Sequence, residues 1–252
     1  MTFEVSADAY QRFMGRYADL LAQALVDELR PHPPERALDV GAGTGALTAP
    51  LVGELGAGSV AAIDPSAPFV AALRERLPGV DAREGTADAL SFEDATFDLV
   101  VAQLVVHFLP DPVAGIAEMA RVAKPGGTVA ASVWDFAGGR APLSLFWRVA
   151  HELDPGVRDE SDEPGAGEGQ VEQYFHEAGL VRVQGGELTV RLPYLDPADW
   201  WQPYTLGVGP AGAYVAGLDG AHREELRRRC VAELGGGPGV VEATAWVAIA
   251  ER

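Results

Sequence analysis

The segment 37–48, which reads ALDVGAGTGALT, constrains the fold of this chain more than any other. A short apolar run containing one acid, Asp39, leads into three alternating glycines, and an apolar helical pattern follows directly. This order predicts a strand, a tight turn and the start of a helix, because glycine tolerates positive φ and lets a ligand approach the backbone. Open α/β sheets bind small molecules where strands end. The turn therefore predicts a site for a nucleoside-type cofactor.

The glycines alone leave two cofactor classes open. Gly41, Gly43 and Ala46 satisfy the loose G-x-G-x-x-A pattern of dinucleotide-binding turns. A dinucleotide brings a diphosphate to the helix N-terminus, and Asp39 is an unfavourable neighbour for that anion. A carboxylate instead attracts the ammonium and sulfonium groups of S-adenosylmethionine. Asp39 thus favours S-adenosylmethionine, with the alternative that it only orders the turn or caps the helix.

A second acid follows at a suitable distance. Asp64 ends the apolar run 60–63 and lies 23 residues after Gly41. An acid about 20 residues beyond such a turn accepts hydrogen bonds from ribose hydroxyls. Asp64 also precedes Pro65 and Ser66, which is typical of a helix start. Both roles are compatible, and we expect Asp64 to bind the ribose.

Five segments, in order, resemble the class I S-adenosylmethionine-dependent methyltransferases, in particular the ubiquinone/menaquinone-biosynthesis-type branch (methyltransferase-11/25-like). They are LDVGAGTG at 38–45, IDPS at 63–66, GTADAL at 85–90, FDLVVA at 97–102 and KPGG at 124–127, and YQRFMGRY at 10–17 is also similar. The resemblance implies that S-adenosylmethionine is the cofactor and S-adenosylhomocysteine the product. It implies methyl transfer to a small organic acceptor by in-line displacement. An NAD(P)-dependent oxidoreductase and an S-adenosylmethionine-binding protein without turnover are the alternatives.

The resemblance also implies a set of cofactor-binding residues: Tyr10, Arg16, Asp39, Gly41, Ala42, Gly43, Asp64, Pro65, Thr86, Ala87 and Gln103. The glycine turn would approach the cofactor through its backbone. Thr86 stands where the family usually has an acid that binds the adenine amine, so the Ala87 amide is an alternative contact. Arg16 would bind the methionine carboxylate bidentately, or else lie solvated on its helix. Gln103 would lie near the methionine moiety, or else be an ordinary polar residue at a strand end.

The candidate catalytic residue is His107, which follows the fourth predicted strand. It would act as a base for a hydroxyl or acidic-carbon acceptor, although a packed histidine that orders the loop is the interpretation we favour. Trp134, Trp200, Trp201 and Tyr204 would line an apolar acceptor pocket or form ordinary lid core. The five histidines show no metal-ligand spacing, so we predict no metal.

Alternation of apolar runs and helical patterns predicts strands at about 37–41, 59–64, 80–84, 97–102 and 127–134, with helices at about 45–55, 66–77 and 112–123. An apolar stripe predicts an N-terminal helix over 6–29 that buries Leu20 among its members. Together with the resemblance, this predicts an α/β fold: a Rossmann-like, seven-stranded, mostly parallel sheet with helices on both faces, an antiparallel last strand and a helical lid.

The second half of the chain predicts helices at 142–152 and 170–179, a mobile loop between them, and a strand over 181–194. Val181, Val183, Leu188, Val190 and Leu192 are its candidate inward residues, with a turn or bulge near Gly185-Gly186. A charged helix over 221–234 precedes a last strand over 240–250. We expect one domain over 1–252, with a cofactor-binding core at 35–135 and lid elements at about 137–169 and 194–237.

The composition limits the classes of binding partner that we expect. The net charge of −18 disfavours nucleic acid and anionic membranes, because both attract basic surfaces. The single cysteine, Cys230, forms no internal disulfide and is expected on a packed helix face, which fits a reducing cytoplasm. The N-terminal residues lack the pattern of a signal peptide, and no apolar run has the length of a membrane span. The partner expected is a small-molecule acceptor.

Overall fold

The computed structural model describes residues 7–252 and contains a seven-stranded sheet of order β3-β2-β1-β4-β5-β7-β6. The strands are β1 (Ala37–Val40), β2 (Val60–Asp64), β3 (Asp81–Glu84), β4 (Phe97–Gln103), β5 (Ala123–Trp134), β6 (Val181–Tyr194) and β7 (Gly239–Glu251). β1 to β5 pair in parallel, while β7 is antiparallel to both β5 and β6. The predicted fold class is confirmed.

Helices cover both faces of the sheet. They are α1 (Ala7–Tyr10), α2 (Arg16–Leu29), α3 (Thr48–Leu55), α4 (Ala67–Arg76), α5 (Pro112–Val122), α6 (Ser144–Leu153), α7 (Gln170–Glu177), α8 (Pro197–Trp201), α9 (Gly209–Gly217) and α10 (Gly220–Leu234). Leu25 of α2 and Leu51 of α3 pack with alternate strand residues such as Leu99 on one face. Ile116 of α5 and Phe175 of α7 pack on the opposite face.

The chain order within the sheet creates the site. From β1 the chain moves outward through β2 and β3, and then returns to place β4 on the other side of β1. The crossovers after β1 and β4 therefore leave in opposite directions, which opens a crevice at the carboxyl ends of these two strands. The glycine turn follows β1 and Leu104 follows β4, so both segments border that crevice.

The N-terminal helix differs from the prediction in two ways, while Ser6 lies outside the described residues. A π turn, Gln11–Gly15, separates α1 from α2. A π turn holds more residues than an α turn, so it changes which side chains face the core. Leu20 was predicted to be buried but is 38% exposed, because α2 buries the adjacent face that carries Tyr17 and Leu21.

The β6 prediction is wrong in its details. The register shifts between Val181 and Gln184, with Arg182 at φ 50°, whereas Gly185 and Gly186 pair regularly with β7. Val181 is 52% exposed because the irregularity falls beside it and changes the alternation of the faces. The predicted loop between α6 and α7 contains neither helix nor strand, but it buries Glu160 and Ala166.

Candidate active site

The glycine turn is fixed to the neighbouring strand by backbone hydrogen bonds. The amides of Gly41 and Ala42 both donate to the carbonyl of Ile63, at 2.8 and 3.0 Å. Gly41 has φ +72°, and a Cβ there would overlap Val105. Gly43 has φ +55°, and no atom lies within 4 Å of the position of its missing Cβ. Gly41 therefore allows close packing, while Gly43 keeps a space open beside the backbone.

Asp64 joins the end of β2 to this turn. Its Oδ2 accepts a hydrogen bond from the Gly43 amide and its Oδ1 accepts one from the Ser66 amide, each at 2.8 Å. Burial raises the pKa of Asp64, and the two amide hydrogen bonds oppose that rise. A carboxylate has about four acceptor positions, so Asp64 keeps capacity for two further donors such as vicinal hydroxyls.

Asp39 is buried at the end of β1, where its Oδ2 accepts a hydrogen bond from the Thr48 hydroxyl at 2.6 Å. Burial, together with the nearby Asp64 carboxyl, raises the pKa of Asp39 to about 7. Asp39 thus contacts the first residue of α3, and it also lines the cavity beside the glycine turn. Its cofactor role stays a prediction.

That space, which we call the glycine-turn cavity, is an open cleft of about 360 Å³, a volume that includes solvent at its mouth. It brings together several predicted cofactor residues: Tyr10, Asp39, Gly41, Ala42, Gly43 and Gln103. Sequence reasoning missed the other lining residues: Ala18, Thr44, Ala46, Leu47 and Leu104. The Gln103 amide donates to the Ala18 carbonyl at 3.0 Å, whereas its Oε1 is buried and accepts no hydrogen bond within the described chain. The open side of Gly43 and this free acceptor fit a ligand that carries a donor group.

Five of the eleven predicted cofactor residues are absent from that lining. Asp64 adjoins it through the hydrogen bond from the Gly43 amide, and the other four lie away from it. The Arg16 guanidinium faces Asp199 of α8 at 3.9 Å, so its partner in the structure is a carboxylate of the protein, which the sequence did not indicate. Pro65 and Thr86 are exposed, and the Ala87 side chain is buried in the core. The cofactor contacts of all eleven residues stay predictions.

A second, larger space, which we call the apolar cavity, has a volume of about 720 Å³, which likewise includes solvent at its opening. It is lined by Tyr10, Phe13, Met14, Leu104, His107, Phe108, Trp134, Phe136, Leu143, Glu160, Glu163, Val208, Gly209 and Pro210. Trp134 lines it as predicted. The other three predicted aromatic residues, Trp200, Trp201 and Tyr204, lie instead in the packed core of the late helices, α6 and α8 to α10. There the Tyr204 ring stacks on Phe146 with centroids 4.6 Å apart.

His107 is 7% exposed, and its ring lies beside Phe108 and Phe136. Its Nδ1 is buried without a hydrogen-bond partner among residues 7–252. Burial lowers the pKa of His107 to about 3, so the imidazole is neutral at physiological pH. A neutral ring packed between aromatic side chains agrees with the interpretation that we favoured from the sequence.

Two lining residues of the apolar cavity, Glu160 and Glu163, were not expected there. Both belong to the segment predicted as a mobile loop, whose Gly, Asp, Glu and Pro content gives no signal for a buried acid. Glu160 is only 8% exposed. The Glu163 amide donates to the Glu160 carbonyl at 3.1 Å, and the Ala137 amide donates to the Ala166 carbonyl at 3.2 Å. The second bond ties this segment to the end of β5.

The two cavities share Tyr10 and Leu104 as walls. Burial and the nearby Asp64 and Asp19 raise the pKa of Tyr10 to about 12, so its phenol stays protonated. Leu104 has φ 60°, an unfavourable backbone conformation for leucine, and its amide donates to the Ser132 carbonyl at 2.8 Å. Such strain commonly occurs at functional positions. Leu104 therefore forms, with Tyr10, the wall between the two cavities.

Within the described residues, no three His, Cys, Asp or Glu side chains are grouped as metal ligands would be. In the same part of the chain, no helix has both the length and the apolar character needed to cross a bilayer. Cys230 is buried, and burial raises the pKa of its thiol to about 12.

Comparison with known proteins agrees with this arrangement. Residues 38–131 match the family described as "Methyltransferase domain". An uncharacterized methyltransferase of Mycobacterium tuberculosis is 37% identical over 135 residues, which cover 54% of this chain and 52% of the relative. A demethylmenaquinone methyltransferase of Beutenbergia cavernae is 37% identical over 108 residues, which cover 43% and 44% of the two chains. This chain thus spans about half the length of the curated relatives it matches.

A solved structure shares the fold over most of the chain. Phosphoethanolamine N-methyltransferase 2 of Haemonchus contortus, in complex with S-adenosyl-L-methionine, superposes with a TM-score of 0.58 at 16% identity. The match covers 92% of this chain and 52% of that one. The family resemblance stated from the sequence motifs is confirmed for residues 38–131, which contain the glycine turn, Asp64 and β4.

Proposed function

We propose that this chain, whose residues 38–131 belong to the methyltransferase domain family, is an S-adenosylmethionine-dependent methyltransferase that acts on a small organic acceptor. The cofactor would bind in the glycine-turn cavity and the acceptor in the apolar cavity. The observation that carries this proposal is that Tyr10 and Leu104 line both cavities. In-line transfer requires the acceptor atom to lie next to the methyl group, and adjacent cavities supply that alignment.

The residues of the glycine-turn cavity fit the cofactor. Gly43 leaves room for close approach of a ligand, and Asp64 has acceptor positions for the ribose hydroxyls. The free Oε1 of Gln103 suits the ammonium of the methionine moiety. Binding of a cation would favour the ionised form of Asp39, whose pKa is about 7. Bound S-adenosylmethionine supplies a methyl group on a sulfonium, which is a good leaving group.

The rest of the chemistry rests on orientation and exclusion of water. The apolar side chains that line the larger cavity would reduce the water around the reacting centre, and Leu104, which lines both cavities, would lie beside both ligands. The pKa of His107, about 3, makes it a poor proton acceptor near neutral pH, because a general base works best when its pKa is close to the operating pH. We therefore assign His107 a packing and positioning role.

The proposal extends to features that the comparisons leave open. Arg16, Pro65, Thr86 and Ala87 would contact the bound cofactor near the ends of the glycine-turn cavity. One domain over 1–252 would combine the core at 35–135 with lid elements at 137–169 and 194–237. A cytoplasmic location is consistent with the free, buried Cys230. The net charge of −18 supports a small-molecule partner over nucleic acid or an anionic membrane.

Calorimetric titration with S-adenosylhomocysteine and, separately, with NADH tests the cofactor assignment. We expect S-adenosylhomocysteine to bind and NADH not to bind. Asp64→Ala should weaken S-adenosylhomocysteine binding by about ten-fold or more, because hydrogen bonds to a charged group contribute about 1.5–3 kcal/mol. Glu84→Ala is the matched control, since Glu84 is an exposed acid at the end of the adjacent strand. NADH binding without S-adenosylhomocysteine binding would reject the proposal.

Turnover needs a separate measurement. Release of S-adenosylhomocysteine from S-adenosylmethionine, measured across a panel of acceptors, distinguishes an enzyme from a protein that only binds the cofactor. We expect release to depend on the acceptor. Binding with no release across amine, hydroxyl and acidic-carbon acceptors would favour the protein without turnover.

A further inference from the structure

The polar groups of the apolar cavity show what its ligand must supply. Among its lining residues, Glu160 and Glu163 are the acids, and neither lysine nor arginine is present. His107 adds no positive charge, because its imidazole is neutral. A ligand in this cavity therefore meets mostly apolar surface and a negative potential.

The Glu160 carboxyl is the unusual element of this wall. Its Oε2 is buried and accepts no hydrogen bond from the described residues. The Glu160 backbone amide and the nearby Trp147 indole oppose the rise in the Glu160 pKa, but burial outweighs them and raises that pKa to about 7. A buried carboxyl oxygen without a partner carries a desolvation penalty of about 1–3 kcal/mol or more. The protein offsets this penalty only in part.

The chemistry of the wall discriminates among ligand classes. A carboxylate or phosphate would be repelled by Glu160 and Glu163. A hydroxyl would supply a hydrogen bond but no opposite charge. An ammonium supplies both, and hydrogen bonds between ionised partners are about twice as strong as neutral ones. An apolar body would cover the surface that Phe13, Trp134 and Val208 present to the cavity.

We propose that the acceptor is an apolar amine and that Glu160 binds its nitrogen, which makes Glu160 the specificity-determining residue of the site. This inference rests on the proposed function and deepens it by naming the substrate class. An amine that enters as the ammonium transfers one proton to the Glu160 carboxylate. The carboxylate becomes the neutral acid, and the N–H bond pair stays on the nitrogen as the lone pair that attacks the methyl group.

The test uses the full chain and matched probes. The probes are 2-phenylethylamine, 2-phenylethanol and phenylacetate, and the same three head groups on hexyl and cyclohexyl bodies, titrated in the presence of S-adenosylhomocysteine. We expect each amine to bind about ten-fold or more tightly than the matched alcohol, since one charged hydrogen bond contributes about 1.5–3 kcal/mol. We expect no measurable binding of the carboxylates. Equal affinity of amines and alcohols across the panel would overturn the inference.

Substitution then assigns the preference to one carboxyl. Glu160→Gln should weaken amine binding about ten-fold and leave alcohol binding unchanged, because it removes the charge and keeps the shape. Glu163→Gln is the matched control; Glu163 lines the same cavity but is partly exposed, so we expect less than about three-fold change. Unchanged amine affinity in Glu160→Gln would also overturn the inference.

Folding and the proposed function are checked independently. Glu160→Gln should keep the S-adenosylhomocysteine affinity of the wild-type protein, which shows that the variant is folded. If S-adenosylhomocysteine binds but amines show no preference, the proposed function stands and the inference fails. If amines bind through Glu160 in titrations without cofactor but S-adenosylhomocysteine does not bind, the proposed function fails and the assignment of the cavity stands.

Discussion

The two cavities differ in how their buried polar groups are satisfied. In the glycine-turn cavity, Asp39 accepts a hydrogen bond from Thr48, and the adjoining Asp64 accepts two from backbone amides. In the apolar cavity, Nδ1 of His107 and Oε2 of Glu160 have no partner within residues 7–252. The acids of the first cavity are thus held by internal hydrogen bonds, and Oε1 of Gln103 is the acceptor left free among its described lining residues. In the second cavity Nε1 of Trp134 is also without a partner, so more of its polar groups depend on a ligand.

This difference fits two kinds of ligand. A preorganised site suits a cofactor that is the same in every turnover, because its groups need not move to bind it. Unpartnered groups in an apolar wall suit selection, because a ligand that lacks the matching group leaves them buried and unpaired. The contrast predicts that substitutions at the glycine turn affect folding and cofactor affinity together, while substitutions at Glu160 affect acceptor choice.

The largest effect is expected at the glycine turn. Gly41→Ala places a methyl group against Val105 and forces a non-glycine residue to φ +72°, so we expect it to lower the free energy of unfolding by about 3–4 kcal/mol. Gly43→Ala has only the backbone cost, about 1–2 kcal/mol, because its methyl group points into open space. Denaturant unfolding measures both values.

The same two variants, Gly41→Ala and Gly43→Ala, distinguish an effect on packing from an effect on cofactor binding. Gly43→Ala should lose S-adenosylhomocysteine affinity by far more than its loss of stability implies, because the added methyl group occupies ligand space. Equal stability loss in the two variants, or normal cofactor binding by Gly43→Ala, would contradict the assignment of these glycines.

The next effect is a pH dependence carried by Glu160. Burial raises the pKa of Glu160 in the folded protein from 4.5 to about 7, so between these values the folded protein binds more protons than the unfolded chain. The contribution of Glu160 to the free energy of unfolding is therefore most favourable below pH 4.5. It falls by up to about 3 kcal/mol as the pH rises toward 7. Asp39 contributes a fall of the same sign from pH 3.8 to about 7.

Thermal unfolding across this pH range measures the sum of the contributions of Glu160 and Asp39. Glu160→Gln should remove part of the fall and leave the contribution of Asp39. An unchanged pH profile in Glu160→Gln would show that the carboxyl is solvated in solution. Addition of an amine that binds should also flatten the pH profile of the stability of the wild-type protein, because a cation stabilises the ionised Glu160 carboxylate.

A smaller effect is expected from Gln103→Leu. The change removes the hydrogen bond to the Ala18 carbonyl, which costs about 1 kcal/mol, and it removes the free Oε1 from the cavity wall. We expect S-adenosylhomocysteine affinity to fall several-fold and amine affinity to stay the same. Loss of amine binding alone would reverse the assignment of the two cavities.

The smallest effect is expected at the ion pair between Arg16 and Asp199. The two charged groups are 3.9 Å apart and partly exposed, so Asp199→Asn should change stability by less than about 1 kcal/mol, and less at high salt. If Arg16 instead binds the cofactor carboxylate, as the family resemblance implies, Asp199→Asn should raise S-adenosylhomocysteine affinity by freeing the guanidinium.

The sequence predicted the glycine turn and its flanking strands well because their determinants are local. The turn, Asp39 and Asp64 lie within one β-α-β unit, and the bounds of β1, β2 and β4 agree with the predicted ranges to within a residue or two. The apolar cavity draws on distant segments at 10–14, 104–108, 134–143, 160–163 and 208–210. No local pattern relates these segments, because their approach depends on the packing of the late helices.

The errors have physical causes of the same kind. Apolar alternation placed the β6 irregularity at Gly185, but the strand shifts register near Arg182, a residue with no preference for positive φ. Helical periodicity does not reveal the π turn at Gln11–Gly15. Burial of Glu160 comes from tertiary packing over a loop whose composition is that of an exposed segment.

The common wall formed by Tyr10 and Leu104 has a thermodynamic consequence. Any occupant that shifts these two side chains changes the free energy of the other compartment, so the two ligands are linked. Linkage is reciprocal: the factor by which S-adenosylhomocysteine changes amine affinity must equal the factor by which the amine changes S-adenosylhomocysteine affinity. If the proposed function holds, the affinity for the spent cofactor would differ between protein whose neighbouring compartment is empty and protein whose neighbouring compartment is filled.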